Sequence, residues 1–354
     1  MKGLILSGGA GTRLRPLTYT NAKQLIPVGN KPVLFYAIEA VRDAGVTDLG
    51  LVVGETRAEI MAAVGDGSRW GVRVTYVHQE APLGLAHAVK VARDFIGDDD
   101  FVVFLGDNLI RDGIAGFVRR FAVSRPEALI LLCRVDEPQR FGIAELRGDQ
   151  VVRLVEKPEV PPSDLGLVGV YLFTPRIFEA IEAIQPSWRN ELEITDAIQR
   201  LIDWGLRVEW HMVTGWWKDT GKPEDVLEAN RLVLEAIQTD ISGELDERSQ
   251  TIGKVVLAKG ARVEGSFLRG PVCIGEGAVI AGSYLGPFTS VGPRVTIRNA
   301  EIEYSVVMEG ATISDISPRI DRSLIGRNAL ITGRADRPRA LRFILGDSSQ
   351  AHVG

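Results

Sequence analysis

From Ile241 onward the chain carries an aliphatic residue about every sixth position, a spacing that few folds can satisfy. Leu268, Ile274 and Ile280 form one series, Leu285, Val291 and Ile297 a second, and Ile302, Val307 and Ile313 a third, with an occasional five-residue step. Helical periodicity fades over this stretch and glycine becomes frequent. Units such as Ile274-Gly275-Glu276-Gly277-Ala278-Val279 and Val291-Gly292-Pro293-Arg294-Val295-Thr296 fit one side of a parallel β-helix, three units making one coil. The aliphatic residue stacks into the prism interior, and Gly and other small residues allow the tight corners. An irregular antiparallel β domain is the alternative, and the repeat disfavours it. From Asp336 the segment is more polar, and its last residues are a candidate disordered tail.

Before Asp240 the pattern is different: short apolar runs alternate with helical periodicity, the mark of an α/β sheet with crossover helices. Strands are expected at Gly3 to Leu6, Leu49 to Val53, Val72 to His78 and Phe101 to Leu105, with helices at Val33 to Ala44 and Arg57 to Val64. A β-rich stretch follows, with Ala128 to Arg134, Phe141 to Leu146, Val151 to Glu156 and Gly166 to Phe173, before a closing helix at Pro223 to Ile237. The expected organisation is an α/β domain over 1–240 and a β-helix over 241–354. Ligands of a largely parallel sheet sit outside its C-terminal strand ends.

With 354 residues, 45% hydrophobic and 25% charged, the chain has ordinary globular composition, which excludes collagen, coiled coil and global disorder. No apolar run approaches the ~20 residues of a membrane helix and the N-terminus has no signal-peptide pattern, so a cytoplasmic protein is expected. A net charge of -5 argues against a nucleic-acid or membrane-surface partner, because both need an excess of Lys and Arg on one face. Cys133 and Cys273 match no metal or redox spacing and read as reduced core residues.

Gly8-Gly9-Ala10-Gly11-Thr12-Arg13-Leu14-Arg15-Pro16 follows the first strand, where a Gly-rich turn brings backbone N–H groups close to a nucleotide. It is neither a dinucleotide fingerprint, which would need glycine at Leu14, nor a P-loop, which would need Gly-Lys-Ser/Thr. Lys2, Arg13, Arg15, Lys23 and Lys31 all precede the first acid, Glu39, so a net-negative protein opens on a basic segment suited to a polyphosphate. Lys2 and one other of these read as ordinary surface charges. Gln79 to Ala88 couples a side-chain amide, able to form opposite hydrogen bonds to a base edge, to a second Gly turn. Gly106-Asp107-Asn108 ends an apolar strand, and Asp219 lies in Trp216-Trp217-Lys218-Asp219-Thr220-Gly221. Two converging aspartates plus substrate phosphates suit Mg²⁺, which takes oxygen ligands and often only one or two protein carboxylates. Glu156-Lys157-Pro158 offers a hydroxyl acceptor beside a phosphate donor, whereas Arg189 to Asp196 reads mostly as helix capping and surface charge. His78, His87, His211 and His352 show no pairing and read as core or surface residues.

With these pieces in order the chain resembles the sugar-1-phosphate nucleotidylyltransferases over nearly its whole length, and within them the long thymidylyl type with a C-terminal β-helix. The resemblance rests on Gly8 through Lys31-Pro32, including Lys23-Gln24-Leu25-Ile26-Pro27, and on Gln79 to Ala88, Gly106-Asp107-Asn108, Glu156-Lys157-Pro158, Leu192 to Asp196 and Trp217-Lys218-Asp219-Thr220-Gly221. It implies a Rossmann-like, mostly parallel sheet followed by a left-handed parallel β-helix. It further implies that glucose 1-phosphate attacks the α-phosphorus of dTTP, giving dTDP-glucose and pyrophosphate without an enzyme nucleophile. By that resemblance Arg13 and Lys23 would grip the triphosphate, and Asp107 and Asp219 would hold Mg²⁺. Leu6, Gly8, Gly9, Gly11, Thr12, Gln79, Pro82 and Gly84 would line the nucleotide. Asn108, Gly142, Glu156, Leu167 and Trp217 would line the sugar, and Lys157 would hold its phosphate.

Three other readings stay open. UTP could replace dTTP or serve beside it, since a methyl-sized group discriminates by only ~1–3 kcal/mol, and another sugar phosphate could replace glucose 1-phosphate. A β-helix acyltransferase centre, as in bifunctional relatives, commonly needs a histidine base, and none lies between His211 and His352. The β-helix therefore reads as an assembly module, giving a homo-oligomer, trimer or tetramer. A regulatory subunit without turnover would usually have lost its catalytic charges, and Arg13, Lys23, Asp107 and Asp219 are all present.

Overall fold

The computed structural model describes residues 1–333 and 345–352. The stretch 334–344 and the last two residues lie outside the described residues, and with them most of the candidate tail from Asp336. The chain forms two compact units that do not divide at a single point. Met1–Ala10, Asn21–Leu25 and Val33–Asp219 make the first, and Gly11–Thr20, Ile26–Pro32 and Thr220–Gly354 the second.

The first unit is built on a nine-stranded sheet. Phe101–Leu105, Lys2–Ser7, Asp48–Val53 and Arg73–His78 are consecutive parallel neighbours. Leu165–Phe173 reverses direction, pairing antiparallel with both Phe101–Leu105 and Ala128–Arg134, and Val208–Met212 extends the sheet parallel to Ala128–Arg134. Gly142–Arg147 and Gln150–Glu156 complete it as a hairpin. Strand alternation sends Leu4 and Leu6 to one apolar cluster and Ile5 to another. Helices Leu85–Lys90, Arg176–Glu182 and Ile194–Asp203 cover the first face, and Val33–Asp43, Arg57–Val64 and Ala115–Ser124 the second. Burial on both faces explains why these strands read as continuous apolar runs.

In the second unit the six-residue spacing becomes a β-helix of parallel ladders. Leu268, Ile274 and Ile280 occupy three successive sides of one coil, and their ladder partners one coil on are Leu285, Val291 and Ile297, then Ile302, Val307 and Ile313. All nine are fully buried. The five-residue steps set the length of each coil: Leu268 to Leu285 and Leu285 to Ile302 each span 17 residues, two sides of six and one of five, whereas Val291 to Val307 spans 16, one side of six and two of five. Corners stack backbone on backbone, since a Cβ on Gly275 would lie 2.6 Å from the nitrogen of Pro293. One corner carries a hydroxyl ladder, with Ser249 accepting from the amide of Ser266, Ser266 from Ser283 and Ser283 from Ala300 at 3.0–3.2 Å.

The same unit holds helix Pro223–Ala236, opened by proline at its first position and by Glu224 and Asp225 in its first turn. Its fully buried Asn230 is a polar hub. Asn230 Oδ1 accepts from the amide of Gly29 (2.9 Å) and the hydroxyl of Ser290 (2.6 Å), while Nδ2 donates to the carbonyl of Phe288 (3.0 Å). Asn30, at the left-handed tip of the hairpin Pro27–Val28 and Lys31–Pro32, donates to the carbonyl of Val291 at 2.7 Å. Helix, hairpin and β-helix are therefore joined by buried polar groups as well as apolar contact. Cys273 is buried, whereas Cys133, at the end of its strand, is only half-buried and so sits at the rim instead of in the core; both are free thiols.

Asn230→Ala leaves three polar groups without their partner, the buried Ser290 hydroxyl and the half-buried Gly29 amide and Phe288 carbonyl. It should lower the stability of the full chain by about 2–4 kcal/mol in urea unfolding; a change below about 0.5 kcal/mol would show that the hub is dispensable.

Candidate active site

Lys2–Ser7, Asp48–Val53, Arg73–His78 and Phe101–Leu105 deliver Gly8, Gly54, Gln79 and Gly106 to one edge of the sheet. Gly8 and Gly54 approach so closely that a Cβ on Gly54 would lie 2.9 Å from the carbonyl oxygen of Gly8. A Cβ on Gly8 would lie 2.8 Å from Gln79 Oε1, and one on Gly9 would lie 3.0 Å from the Lys23 side chain. Only glycine leaves this cradle open. Gln79 Nε2 lies 3.4 Å from the carbonyl oxygen of Gly84 and 3.0 Å from His87 Nδ1. Pro82 is exposed beside them. Leu6 is almost fully buried in the core cluster beneath the turn.

Lys23, on the short turn Lys23–Leu25, forms an ion pair with the buried Asp107. Burial pushes the Asp107 carboxyl up, but the Lys23 ammonium, with hydrogen bonds from Lys23, Asn108 and its own backbone, holds it below the usual range. Asn108–Ile110 pairs antiparallel with Trp217–Asp219, setting Asn108 opposite Asp219. Asn108 Nδ2 donates to Asp107 Oδ1 at 3.0 Å and to Asp219 Oδ1 at 3.4 Å, and Asn108 Oδ1 accepts from the Trp217 indole at 2.6 Å.

Trp217 meets Phe141 edge to face with ring centroids 5.4 Å apart, and Phe141 accepts the backbone hydrogen bond of Lys157. A Cβ on Gly142 would lie 2.5 Å from Thr195 Cγ2 and 3.0 Å from Glu156 Oε2, and Leu167 lies just beyond. The Thr195 hydroxyl donates to Glu156 at 3.2 Å, and Lys157 and Arg189 flank the same carboxylate at 3.6 and 3.7 Å. Burial pushes the Glu156 carboxyl above its usual range and Glu193 adds to it, against the opposing pull of Lys157, Thr195 and Arg189.

The structure thus joins the residues expected in the first unit into one trail: Gln79 and Gly84 to Gly8 and Gly9, then Lys23, Asp107, Asn108 and Asp219, then Trp217, Gly142, Glu156, Lys157 and Leu167. Gly11, Thr12 and Arg13 belong to the second unit. There Gly11 has φ +64°, accepts from the Thr18 hydroxyl at 2.8 Å, and leads into the turn Thr12–Leu14 with Arg13 exposed. Lys2 and Arg15 are structural charges, Lys2 bonded to the carbonyl of Phe95 and Arg15 stacked on Tyr19.

Three residues were missed in the sequence. Arg189, taken there for surface charge, is largely buried between Glu156, Glu191 and Glu193. Gln24 is buried with Oε1 lacking a hydrogen-bond partner, and its position next to Lys23 was the available signal. His87, read as an ordinary core or surface residue, meets Gln79.

The donor set fits a magnesium ion: two carboxylates, both hydrogen-bonded by one asparagine, a number of protein ligands magnesium often takes when phosphate oxygens supply the rest. Among the described residues no three His, Cys, Asp or Glu side chains are grouped to hold a metal, so the softer, fully protein-ligated sites of zinc are not what this geometry offers.

A β/α sheet edge with a glycine cradle, a lysine–aspartate pair and paired carboxylates defines a phosphoryl- or nucleotidyl-transfer enzyme, and comparison with known proteins agrees. The nucleotidyl transferase family profile matches residues 2–236. The chain is 53% identical to a glucose-1-phosphate thymidylyltransferase of Streptomyces griseus, over all of this chain and 99% of that one. It is 50% identical to a low-salt glycan biosynthesis nucleotidyltransferase of Haloferax volcanii, over 99% of each. Among solved structures it is similar to a candidate glucose-1-phosphate thymidylyltransferase of Bacillus anthracis in complex with sucrose, with TM-score 0.64 and 35% identity over 68% of this chain and 97% of that one. The chain belongs to the nucleotidyl transferase family.

The raised Glu156 carboxyl has a signature in stability. The folded state holds that proton more tightly than the unfolded chain, whose value is near 4.3. Its contribution to stability is therefore greatest below that value and declines as pH rises towards the folded value. Glu156→Gln should flatten this part of the pH–stability curve in thermal unfolding between pH about 4 and 7; an unchanged slope would place the shift elsewhere.

Proposed function

We propose that the protein is a glucose-1-phosphate thymidylyltransferase, transferring the thymidylyl group of dTTP to glucose 1-phosphate to give dTDP-glucose and pyrophosphate. The observation that carries this reading is the continuous trail from the Gln79 amide, through Lys23, Asp107 and Asp219, to the Glu156 and Lys157 pocket. It has a base-reading end, a phosphate and metal centre, and a sugar end in the order the reaction needs. The full-length identity to the Streptomyces griseus protein supports the choice of thymidine and glucose. We assign residues 1–240 to nucleotidyl transfer and 241–354 to the β-helix, and expect a cytoplasmic homo-oligomer assembled through the latter. No helix among the described residues is long and apolar enough to cross a membrane.

In this mechanism Gly8, Gly9 and Gln79 seat the nucleoside, with Leu6, Pro82 and Gly84 shaping the cradle. Lys23 neutralises charge on the triphosphate. Asp107 and Asp219 would hold Mg²⁺, which supplies charge stabilisation at the phosphates when bound. Asn108 keeps the two carboxylates aligned. Glu156 accepts a sugar hydroxyl, Gly142, Leu167 and Trp217 frame the ring, and Lys157 fixes the attacking phosphate. No side chain need act as nucleophile, so the residues contribute position and charge to an in-line displacement.

Pyrophosphate release with Mg²⁺ and glucose 1-phosphate across dTTP, UTP, ATP, GTP and CTP should show highest kcat/KM with dTTP. Asp219→Asn, which keeps shape but removes charge, should lower kcat by about 100-fold or more. Silence of the wild type with every nucleotide would overturn the reaction, and near-native Asp219→Asn would overturn the metal assignment.

A further inference from the structure

A backbone carbonyl can only accept a hydrogen bond, so the Gln79 side-chain atom 3.4 Å from the Gly84 oxygen is necessarily its amide nitrogen. The same Nε2 lies 3.0 Å from His87 Nδ1. An amide nitrogen donates and does not accept, so Nδ1 is the acceptor and the imidazole proton sits on Nε2. Burial lowers the His87 pKa and the Lys90 charge lowers it further, which favours the neutral ring. With both hydrogens of Gln79 turned inward, Oε1 faces the cradle beside Gly8.

The Gly84 carbonyl is itself held. Gly84 has φ +106°, a conformation that favours glycine, and a Cβ there would lie 2.4 Å from the Leu192 oxygen. Leu192 donates to the carbonyl of Leu83 at 2.8 Å and accepts from the amide of Ala86 at 3.0 Å. Two fixed acceptors, one from a backbone turn and one from a helix side chain, thus impose one orientation on the amide.

We infer that His87 is a positioning residue that sets the polarity of the Gln79 amide, so that the edge offered to the nucleobase is an acceptor. The pair thereby selects a pyrimidine with N3–H over one whose N3 is itself an acceptor. This rests on the nucleotidyl-transfer reading, with Gln79 at the base. Thymine and uracil present a donor at N3, whereas cytosine presents a lone pair that would face the Gln79 oxygen. A site built around a hydrogen bond rejects the partner that cannot make it far more strongly than an apolar wall rejects a methyl group. His87 therefore works on the ring edge common to thymine and uracil and leaves the thymine methyl unread.

The test uses the full chain with His87→Phe, which keeps an aromatic ring without the acceptor, and His87→Asn, whose side-chain oxygen can replace Nδ1. His87→Leu repeats the first substitution should the phenyl ring not be accommodated. Kinetics with dTTP and CTP should show His87→Phe raising the dTTP KM about tenfold while kcat stays within about twofold, and narrowing the dTTP:CTP ratio of kcat/KM about tenfold. His87→Asn should stay within about twofold of wild type on both. Unchanged KM and ratio in His87→Phe, or equal losses in both variants, would overturn the inference. Calorimetric titration of dTTP and CTP without sugar phosphate separates the two readings. Selective dTTP binding without turnover sinks the transferase reading alone, and equal binding of dTTP and CTP by the wild type overturns the role of His87.

Discussion

The antiparallel pairing of Asn108–Ile110 with Trp217–Asp219 joins segments more than a hundred residues apart and creates the charged centre of the site. Burial raises the cost of keeping Asp107 ionised. Asn108 offsets part of that cost with its amide, which also reaches Asp219. The Trp217 indole is a donor only, so it fixes the Asn108 oxygen towards itself and leaves the Asn108 nitrogen for Asp107 and Asp219. Lys23 supplies the cation that keeps Asp107 charged. The space around Asn108 is equally constrained: a Cβ on Gly169 would lie 2.5 Å from its side-chain oxygen. The result is a preformed pair of hard oxygen donors, held without a third protein ligand.

The second unit shows a comparable economy in a different setting. Its β-helix closes on nine aliphatic residues that recur every 16 or 17 positions, and at corners such as Gly275 only glycine fits because backbone stacks on backbone. Helix Pro223–Ala236 and the hairpin of Pro27–Val28 and Lys31–Pro32 are bound to it through Asn230 and Asn30. Each of these asparagines meets groups from separate stretches of chain. Buried amides serve this purpose better than apolar side chains because they also satisfy backbone groups that would otherwise be buried unpaired.

Periodic features were legible in the sequence because periodicity is local. Phe101–Leu105, Ala128–Arg134 and Arg57–Val64 begin and end where their apolar patterns do, and the nine β-helix aliphatics occupy the interior together. The sheet's direction was less legible: apolar runs mark strands, but Leu165–Phe173 reads the same whether it runs with or against its neighbours. The glycines of the cradle and the aspartates could be singled out by type and place at strand ends. What could not be read was who meets whom. Arg189 looks like a helix-terminal surface charge until Glu156, from a strand more than thirty residues earlier, is found beside it. His87 looks like any helix histidine until the Gln79 amide is found 3.0 Å from it.

Two carboxylates of the trail are both withdrawn from water and yet titrate in opposite directions, and the difference lies in how closely a cation reaches each. Burial is the largest influence on Asp107, but Lys23 contacts it directly, and its attraction together with hydrogen bonds from Lys23, Asn108 and the backbone lowers the carboxyl's pKa. Glu156 has cations only at 3.6 and 3.7 Å, shares Arg189 with Glu191 and Glu193, and feels the Glu193 charge, so burial prevails. At the phosphate centre a permanent negative charge is needed to attract a divalent cation. In the proposed reaction the sugar end would need a directional acceptor for a neutral hydroxyl, which the Glu156 carboxyl can be. The spacing of Lys157 and Arg189 keeps positive charge near Glu156 without locking it to either, and Arg189 is held more closely by Glu191 and Glu193. In the proposed reaction, these opposite shifts would divide one sheet edge between metal and phosphate binding at Asp107 and sugar recognition at Glu156.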